Sequence, residues 1–224
     1  MSRVIISGEE WSGAEREELA ASLTSLGLFT EAASAVTSTD AADVVVVRWP
    51  LSAASQASLS NHSPPCLRLL MCDAGSIPAE LPQSIDAVLP LRADTVTIAE
   101  TFAGLGFVPF SASDAARLWP ALDALTGGDA DIRTELVQSL VLTNTEDLAA
   151  LLAACDARDW DQARAMAHRI KGTARMLDCH ATVAVCQAIE SASIRQDGDT
   201  VTALVPLLTQ AIQRLLAALA TVPD

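Results

Sequence analysis

The spacing of apolar residues changes midway along this 224-residue chain. After about residue 112, apolar residues recur at intervals of three and four over long stretches, which predicts amphipathic helices. Before that point, short apolar runs at residues 4–6, 43–47, 67–71 and 85–89 alternate with helical stretches, which predicts a doubly wound parallel sheet. We therefore predict an α/β domain at residues 1–106 and an all-α domain at residues 107–224, joined near a junction containing glycine and proline.

The helical half contains one short segment and four long apolar stripes. The short segment covers about residues 113–125 and is stopped by Gly127 and Gly128. The stripes cover residues 132–155, 160–177, 185–192 and 201–219. Short connections between long helices predict an antiparallel four-helix bundle with a short extra N-terminal helix.

Charge and cysteine content exclude several classes of protein. The formal net charge is −14, which argues against nucleic acid as a partner. The five cysteines have no metal-ligand spacing, so we predict reduced thiols and no metal site. No apolar run reaches the roughly 18 residues of a membrane helix, and the N-terminal residues lack the pattern of a signal peptide. These features predict a cytoplasmic protein without membrane insertion.

The second long stripe carries the only lysine of the chain, Lys171, three residues after His168. Helical spacing places both on one face with Arg164, Gly172 and Arg175, beside the apolar stripe. Neutral imidazole is a competent nucleophile, and neighbouring cations can neutralise the oxygens of a phosphoryl group. A glycine within a helix costs about 1 kcal/mol against alanine, and its missing side chain lets a partner approach closely. The ordinary alternative is an exposed helix histidine without chemistry.

Residues 168–174 resemble the H-x-x-K-G-[AST]-[AS] signature of histidine phosphotransfer (HPt) domains, the four-helix modules of bacterial multistep phosphorelays. The resemblance implies that His168 is the phosphoacceptor and that Lys171 and Gly172 shape its face. The family often has glycine about ten residues after the histidine, where this chain has Asp178.

The same resemblance implies a function. His168 would accept a phosphoryl group from the receiver aspartyl phosphate of a hybrid sensor kinase and pass it to a response regulator aspartate. The protein would be a phosphocarrier and not an enzyme, with no cofactor of its own and Mg²⁺ held by the partner receiver.

Five polar residues are candidates to support His168 or to dock the partner. Three belong to the histidine helix and two to the helix that follows; they are Arg164, Arg169, Arg175, Gln187 and Glu190. On the packing of an antiparallel bundle, Gln187 and Glu190 face the histidine helix. The alternative is that Gln187 and Glu190 are exposed helix polar residues without a role.

The first half resembles a response-regulator receiver domain, with its flavodoxin-like sheet, over about residues 2–106. Glu9 and Glu10 stand where the receiver family has its metal-binding acidic pair. The third strand ends at Arg48 in place of the acceptor aspartate, and Leu89 precedes Pro90 where receivers have lysine. The resemblance predicts a pseudo-receiver that is not phosphorylated, in which Arg48 pairs with the two glutamates. The alternative is an α/β domain without receiver ancestry.

Two functional alternatives remain open at this stage. The chain could be a non-phosphorylated scaffold that binds or sequesters a kinase or a response regulator. A hydrolase or metalloenzyme is the weakest option, because no grouping of nucleophile, base and acid stands out. The order of receiver followed by HPt is also found at the end of larger sensor kinases, so the sequence fits a freestanding protein and a kinase fragment equally.

Overall fold

The computed structural model describes residues 2–33, 42–61, 66–73, 75–77, 81 and 84–221. The chain divides into two compact units. One is formed mainly by residues 2–24 and 28–101, and the other mainly by residues 102–224.

A five-stranded parallel sheet forms the centre of the first unit. Its strands are β1 Ser2–Ser7, β2 Leu28–Ala33, β3 Val44–Arg48, β4 Leu67–Cys72 and β5 Ala87–Pro90. The strand order is β2-β1-β3-β4-β5, which is the flavodoxin-like order. The four valines of β3 are fully buried, as expected for a central strand covered on both faces. The prediction of a doubly wound sheet is confirmed.

Three helices accompany the sheet, namely α1 Gly13–Ser25, α2 Ala53–Asn61 and α3 Thr95–Gly104. A capping box opens α1, because Ser12 N donates to Glu15 and Glu15 N donates to Ser12 Oγ. The connections β1-α1-β2 and β3-α2-β4 run in opposite directions along the sheet. Since such crossovers are right-handed, α1 and α2 cover opposite faces.

The second unit is an antiparallel bundle. A short helix, α4 Ala112–Thr126, precedes four long helices, which are α5 Ala130–Asp156, α6 Trp160–Met176, α7 His180–Ile194 and α8 Gly198–Ala220. An aspartate caps α5, α6 and α8 by accepting from backbone N–H groups of the first turn. The predicted bundle with a short extra N-terminal helix is confirmed.

The helix α6 packs against both α5 and α7. Its buried stripe includes Ala163, Ala167, Ile170 and Ala174, and these mostly small side chains let the neighbouring helices approach closely. This packing fixes the rotation of α6 about its axis. The residues beside the stripe therefore have defined positions, and His168 is one of them.

Among the described residues, one helix, α8, is long and apolar enough to cross a membrane by length and composition alone. Its apolar residues have another explanation. Leu204, Leu208, Ile212 and Leu215 are buried where α8 contacts α5 and α7. The composition of α8 is thus that of a bundle core helix.

Candidate functional site

His168 presents its ring to solvent on the outer edge of α6, with 72% of its side chain exposed. Its Nδ1 atom lies 2.9 Å from Oε1 of Glu190 on α7. A carboxylate can only accept a hydrogen bond, so this contact places the ring proton on Nδ1. The Nε2 atom then keeps its lone pair and is the nucleophilic nitrogen of the ring.

Lys171 does not share the exposed face on which the sequence analysis placed it. Its side chain is only 8% exposed, and its ammonium is bonded to the other carboxylate oxygen of Glu190. The prediction of a solvent-facing Lys171 is wrong, because helical spacing gives an angle about α6 but not the position of α7. Lys171 is connected to His168 through Glu190, whose two oxygens are bonded to the ammonium and to the ring.

Gly172 lies on the open side of α6. A Cβ atom added there would meet no atom within 4 Å. The packing of the bundle therefore does not require glycine at this position. The absence of a side chain instead leaves free space one turn from His168.

An open cleft of about 480 Å³ adjoins His168. Residues of α6 and α7 line it, namely Arg164, Ala165, His168, Arg169, Glu190 and Ile194. Ile194 is 65% exposed, an unusual position for so large an apolar side chain. Ala165 and Ile194 were not predicted as site residues. The signal for Ile194 was its position at the polar end of the apolar helix α7.

Arg169, on the far side of the cleft from α7, is held by α5. Its Nη2 atom lies 2.9 Å from Oδ1 of Asp147, which is 2% exposed. Burial raises the pKa of the Asp147 carboxyl, and the charge of Arg169 opposes that rise. Asp147 was not predicted as a site residue. The available signal was the polar interruption of the α5 apolar stripe, where Asn144 and Asp147 occupy buried positions.

The site lies within one recognisable segment. Residues 135–220, from the first third of α5 to the end of α8, match the family model described as the Hpt domain. These residues form an Hpt domain. No curated protein and no solved structure matches the chain. All residues of the cleft belong to the Hpt domain, whereas α4 and the parallel sheet lie outside the matched segment.

Two predicted supporting residues stand apart from the cleft. Gln187 is exposed on α7 and Arg175 is exposed on the last turn of α6, and neither is among the lining residues. The Hpt domain brings together Arg164, Arg169 and Glu190 around His168. In the described part of the chain, no group of three histidine, cysteine or acidic side chains could hold a metal ion.

In the first unit, Arg48 ends β3 with its guanidinium among oxygen atoms. Its Nη1 atom donates to the Glu10 carbonyl and to Oε2 of Glu15, each at 2.7 Å. Its Nη2 atom lies 3.7 Å from the Asp73 carboxylate. The predicted ion pair of Arg48 with the Glu9 and Glu10 side chains is therefore wrong, because the helix-capping Glu15 supplies the carboxylate.

The remaining residues of this degenerate pocket have other partners. The Glu10 carboxylate accepts from Ser52 N at 2.7 Å and from Ser55 Oγ at 3.4 Å. Burial raises the pKa of Glu10, but the hydrogen bonds, those of Ser52 foremost, bring it below the usual value. Glu9 is exposed, and Leu89 is buried in the sheet. Arg48 thus meets Glu10 through the Glu10 carbonyl, while the Glu10 carboxylate is bonded to Ser52 and Ser55.

Proposed function

We propose that His168 accepts a phosphoryl group from the receiver aspartyl phosphate of a hybrid sensor kinase and passes it to the aspartate of a response regulator. Hpt domains are phosphocarriers of phosphorelay signalling and generally not enzymes. One observation carries the assignment to His168. Its exposed ring is held through Nδ1 by Glu190, which leaves Nε2 free to react.

The phosphoryl transfer needs no proton shuttle. The Nε2 lone pair of His168 attacks phosphorus, and the bond between phosphorus and the aspartyl oxygen breaks with its electron pair leaving on the carboxylate. The Nδ1 proton stays on the ring and faces Glu190. The product is a phosphorylated imidazolium whose ring charge is balanced by the Glu190 carboxylate. Attack by a second aspartate carboxylate on this phosphorus reverses the sequence and regenerates neutral His168.

The partner supplies what the cleft lacks. Glu190 is the single acidic residue that lines it, and that carboxylate already serves His168 and Lys171. We therefore assign the Mg²⁺ of the reaction to the acidic pocket of the partner receiver. On this assignment the protein presents an imidazole on a surface that matches the partner receiver. It does so in a bacterial phosphorelay of the cytoplasm.

We further propose that residues 1–106 are a pseudo-receiver that is not phosphorylated and that residues 107–224 form the complete phosphotransfer unit. The flavodoxin-like strand order supports the first assignment. Arg48 at the end of β3 supports it further, because a guanidinium bonded to Glu15 offers no acceptor carboxylate. Docking or regulation of the Hpt domain is the role we assign to this unit.

The test uses labelled phosphorylated receivers from several hybrid kinases. The intact protein, His168→Gln and the control His180→Gln are each incubated with these donors, and the product is tested for acid lability and alkali stability. We expect acid-labile, alkali-stable label in the intact protein and the control, and none in His168→Gln. Donors that bind but never transfer label would contradict the proposal and favour a non-phosphorylated scaffold.

A further inference from the structure

The phosphoryl group that reaches His168 carries anionic oxygens, which need a cation on the open side of the ring. Lys171 does not meet this need. Its ammonium is buried and bonded to the Glu190 carboxylate, on the Nδ1 side of the ring. Among the cleft residues, Arg164 and Arg169 are the cations that face the open space.

These two arginines differ in how they are held. Arg169 is paired with the buried Asp147 of α5, whereas Arg164 has no side-chain partner among the described residues. The pair occupies one Nη atom of Arg169, whose side chain lines the cleft and is 55% exposed. A guanidinium fixed at one end presents its remaining N–H donors in a defined direction.

We propose that Asp147 is a positioning residue that holds the Arg169 guanidinium in the cleft, where it binds the oxygens of the phosphoryl group transferred to Nε2 of His168. The inference rests on the proposed function and deepens it, because it names the cation that binds the oxygens of the transferred phosphoryl group. A buried carboxylate is costly unless it is paired, and Asp147 is buried on α5. Its single ion-pair partner in the described residues is Arg169.

A small donor separates phosphoryl binding from protein docking. Phosphoramidate protonated on its nitrogen transfers its phosphoryl group to imidazole when Nε2 attacks phosphorus, the bond between phosphorus and nitrogen breaks, and the –NH₃⁺ group leaves as ammonia with the electron pair. The Nδ1 proton of His168 again remains on the ring. A residue that only docks a receiver does not affect this reaction, whereas a residue that binds phosphoryl oxygens does.

The experiment measures the rate of labelling of the full chain by phosphoramidate. The variants are Arg169→Gln, Asp147→Asn and the two combined, with Arg214→Gln as the matched loss of an exposed arginine on α8. We expect Arg169→Gln to slow labelling about tenfold or more, the scale of removing a donor to developing negative charge. Asp147→Asn should slow it by a smaller factor and should have no further effect once Arg169 is glutamine.

Each other outcome has one meaning. Labelling of Arg169→Gln at the parent rate would overturn the inference while leaving His168 as the phosphoacceptor. An effect of Asp147→Asn that persists undiminished in the Arg169→Gln background would also overturn it, because Asp147 would then act through the fold. Absence of label in the parent, or equal label in His168→Gln, would overturn the proposed function itself and the inference with it.

Discussion

Oε1 of Glu190 lies 2.9 Å from Nδ1 of His168, and this contact crosses from α7 to α6. The second oxygen of the same carboxylate is bonded to Lys171. The ring therefore has an orienting partner that is itself oriented. Glu190, with 14% of its side chain exposed, is thereby paired with Lys171 and directed at the His168 ring.

Replacing Glu190 by glutamine should disturb this arrangement, because an amide has one accepting oxygen where the carboxylate has two. We expect a smaller population of His168 protonated at Nδ1, detected by ¹⁵N NMR of the ring. Phosphorylation should slow by about tenfold or more, the scale of losing the orienting partner of a functional histidine. An unchanged tautomer and rate in Glu190→Gln would show that the contact does not orient the ring.

Removing the charge of Lys171 should affect stability as well as transfer. In Lys171→Met the Glu190 carboxylate is left partly buried without its cation, which should lower the free energy of unfolding by about 3 kcal/mol. Combining Lys171→Met with Glu190→Gln should restore most of that loss, since no unpaired charge remains. Denaturant unfolding measures both, and equal losses in the single and double variants would contradict the ion-pair account. Transfer should slow in both while His168 remains the acceptor.

Gly172→Ala should stabilise the bundle and slow phosphoryl transfer from a receiver. A Cβ there meets nothing within 4 Å, so helix propensity should add about 1 kcal/mol to the free energy of unfolding. Transfer from a receiver should slow, because the open face loses space, while labelling by phosphoramidate should not change. Gly198→Ala is the matched control with the opposite sign, since its Cβ would lie 2.6 Å from the Trp160 ring. A destabilised Gly172→Ala would mean that packing requires this glycine.

Asp147→Asn should change the dependence of stability on pH. Burial raises the pKa of Asp147 in the folded state, so the folded chain binds this proton more tightly than the unfolded chain. The charged carboxylate therefore costs stability at neutral pH, and the cost disappears as pH falls through the folded pKa toward the unfolded value near 3.9. We expect the stability of Asp147→Asn relative to the parent to be highest at neutral pH, where the parent carries the charged carboxylate. The difference should shrink on acidification, and a difference independent of pH would exclude this origin.

The turn between α5 and α6 carries a residue in an unfavourable backbone conformation. Arg158 has φ of 54°, in the left-handed region where glycine is preferred. Arg158→Gly should therefore raise the free energy of unfolding by about 0.5 to 1 kcal/mol. Gln213→Gly, within α8, should lower it by about 1 kcal/mol and serves as the control. Equal losses in both variants would show that the turn gains nothing from glycine.

Asp178 lies in the turn after α6, where this chain departs from the family signature. The HPt resemblance leads one to expect glycine near this position, and the chain has aspartate. The structure gives Asp178 the left-handed conformation, with φ of 57°, and α6 still ends at Met176. Aspartate is among the residues that tolerate this region best, so the turn survives the substitution. Its carboxylate also lies 2.9 Å from His180 Nε2 at the start of α7.

The sequence by itself indicated most of the secondary-structure elements and the candidate acceptor. Apolar spacing located the four long helices and four of the five strands, because periodicity depends only on which residues must be buried. The run from His168 to Gly172 indicated the candidate site, because all of those residues lie on one helix. The corrections all concern side chains whose partners belong to other elements.

Tertiary structure alone decided which side chains of the site are bonded to one another. Spacing along α6 cannot place Lys171 inside or outside until the position of α7 is known, and it cannot show that Glu190 joins Lys171 to His168. The pairing of Arg169 with Asp147 depends in the same way on α5. Charged side chains find partners across helices at distances of a few ångströms, and that proximity is set by packing and not by sequence separation.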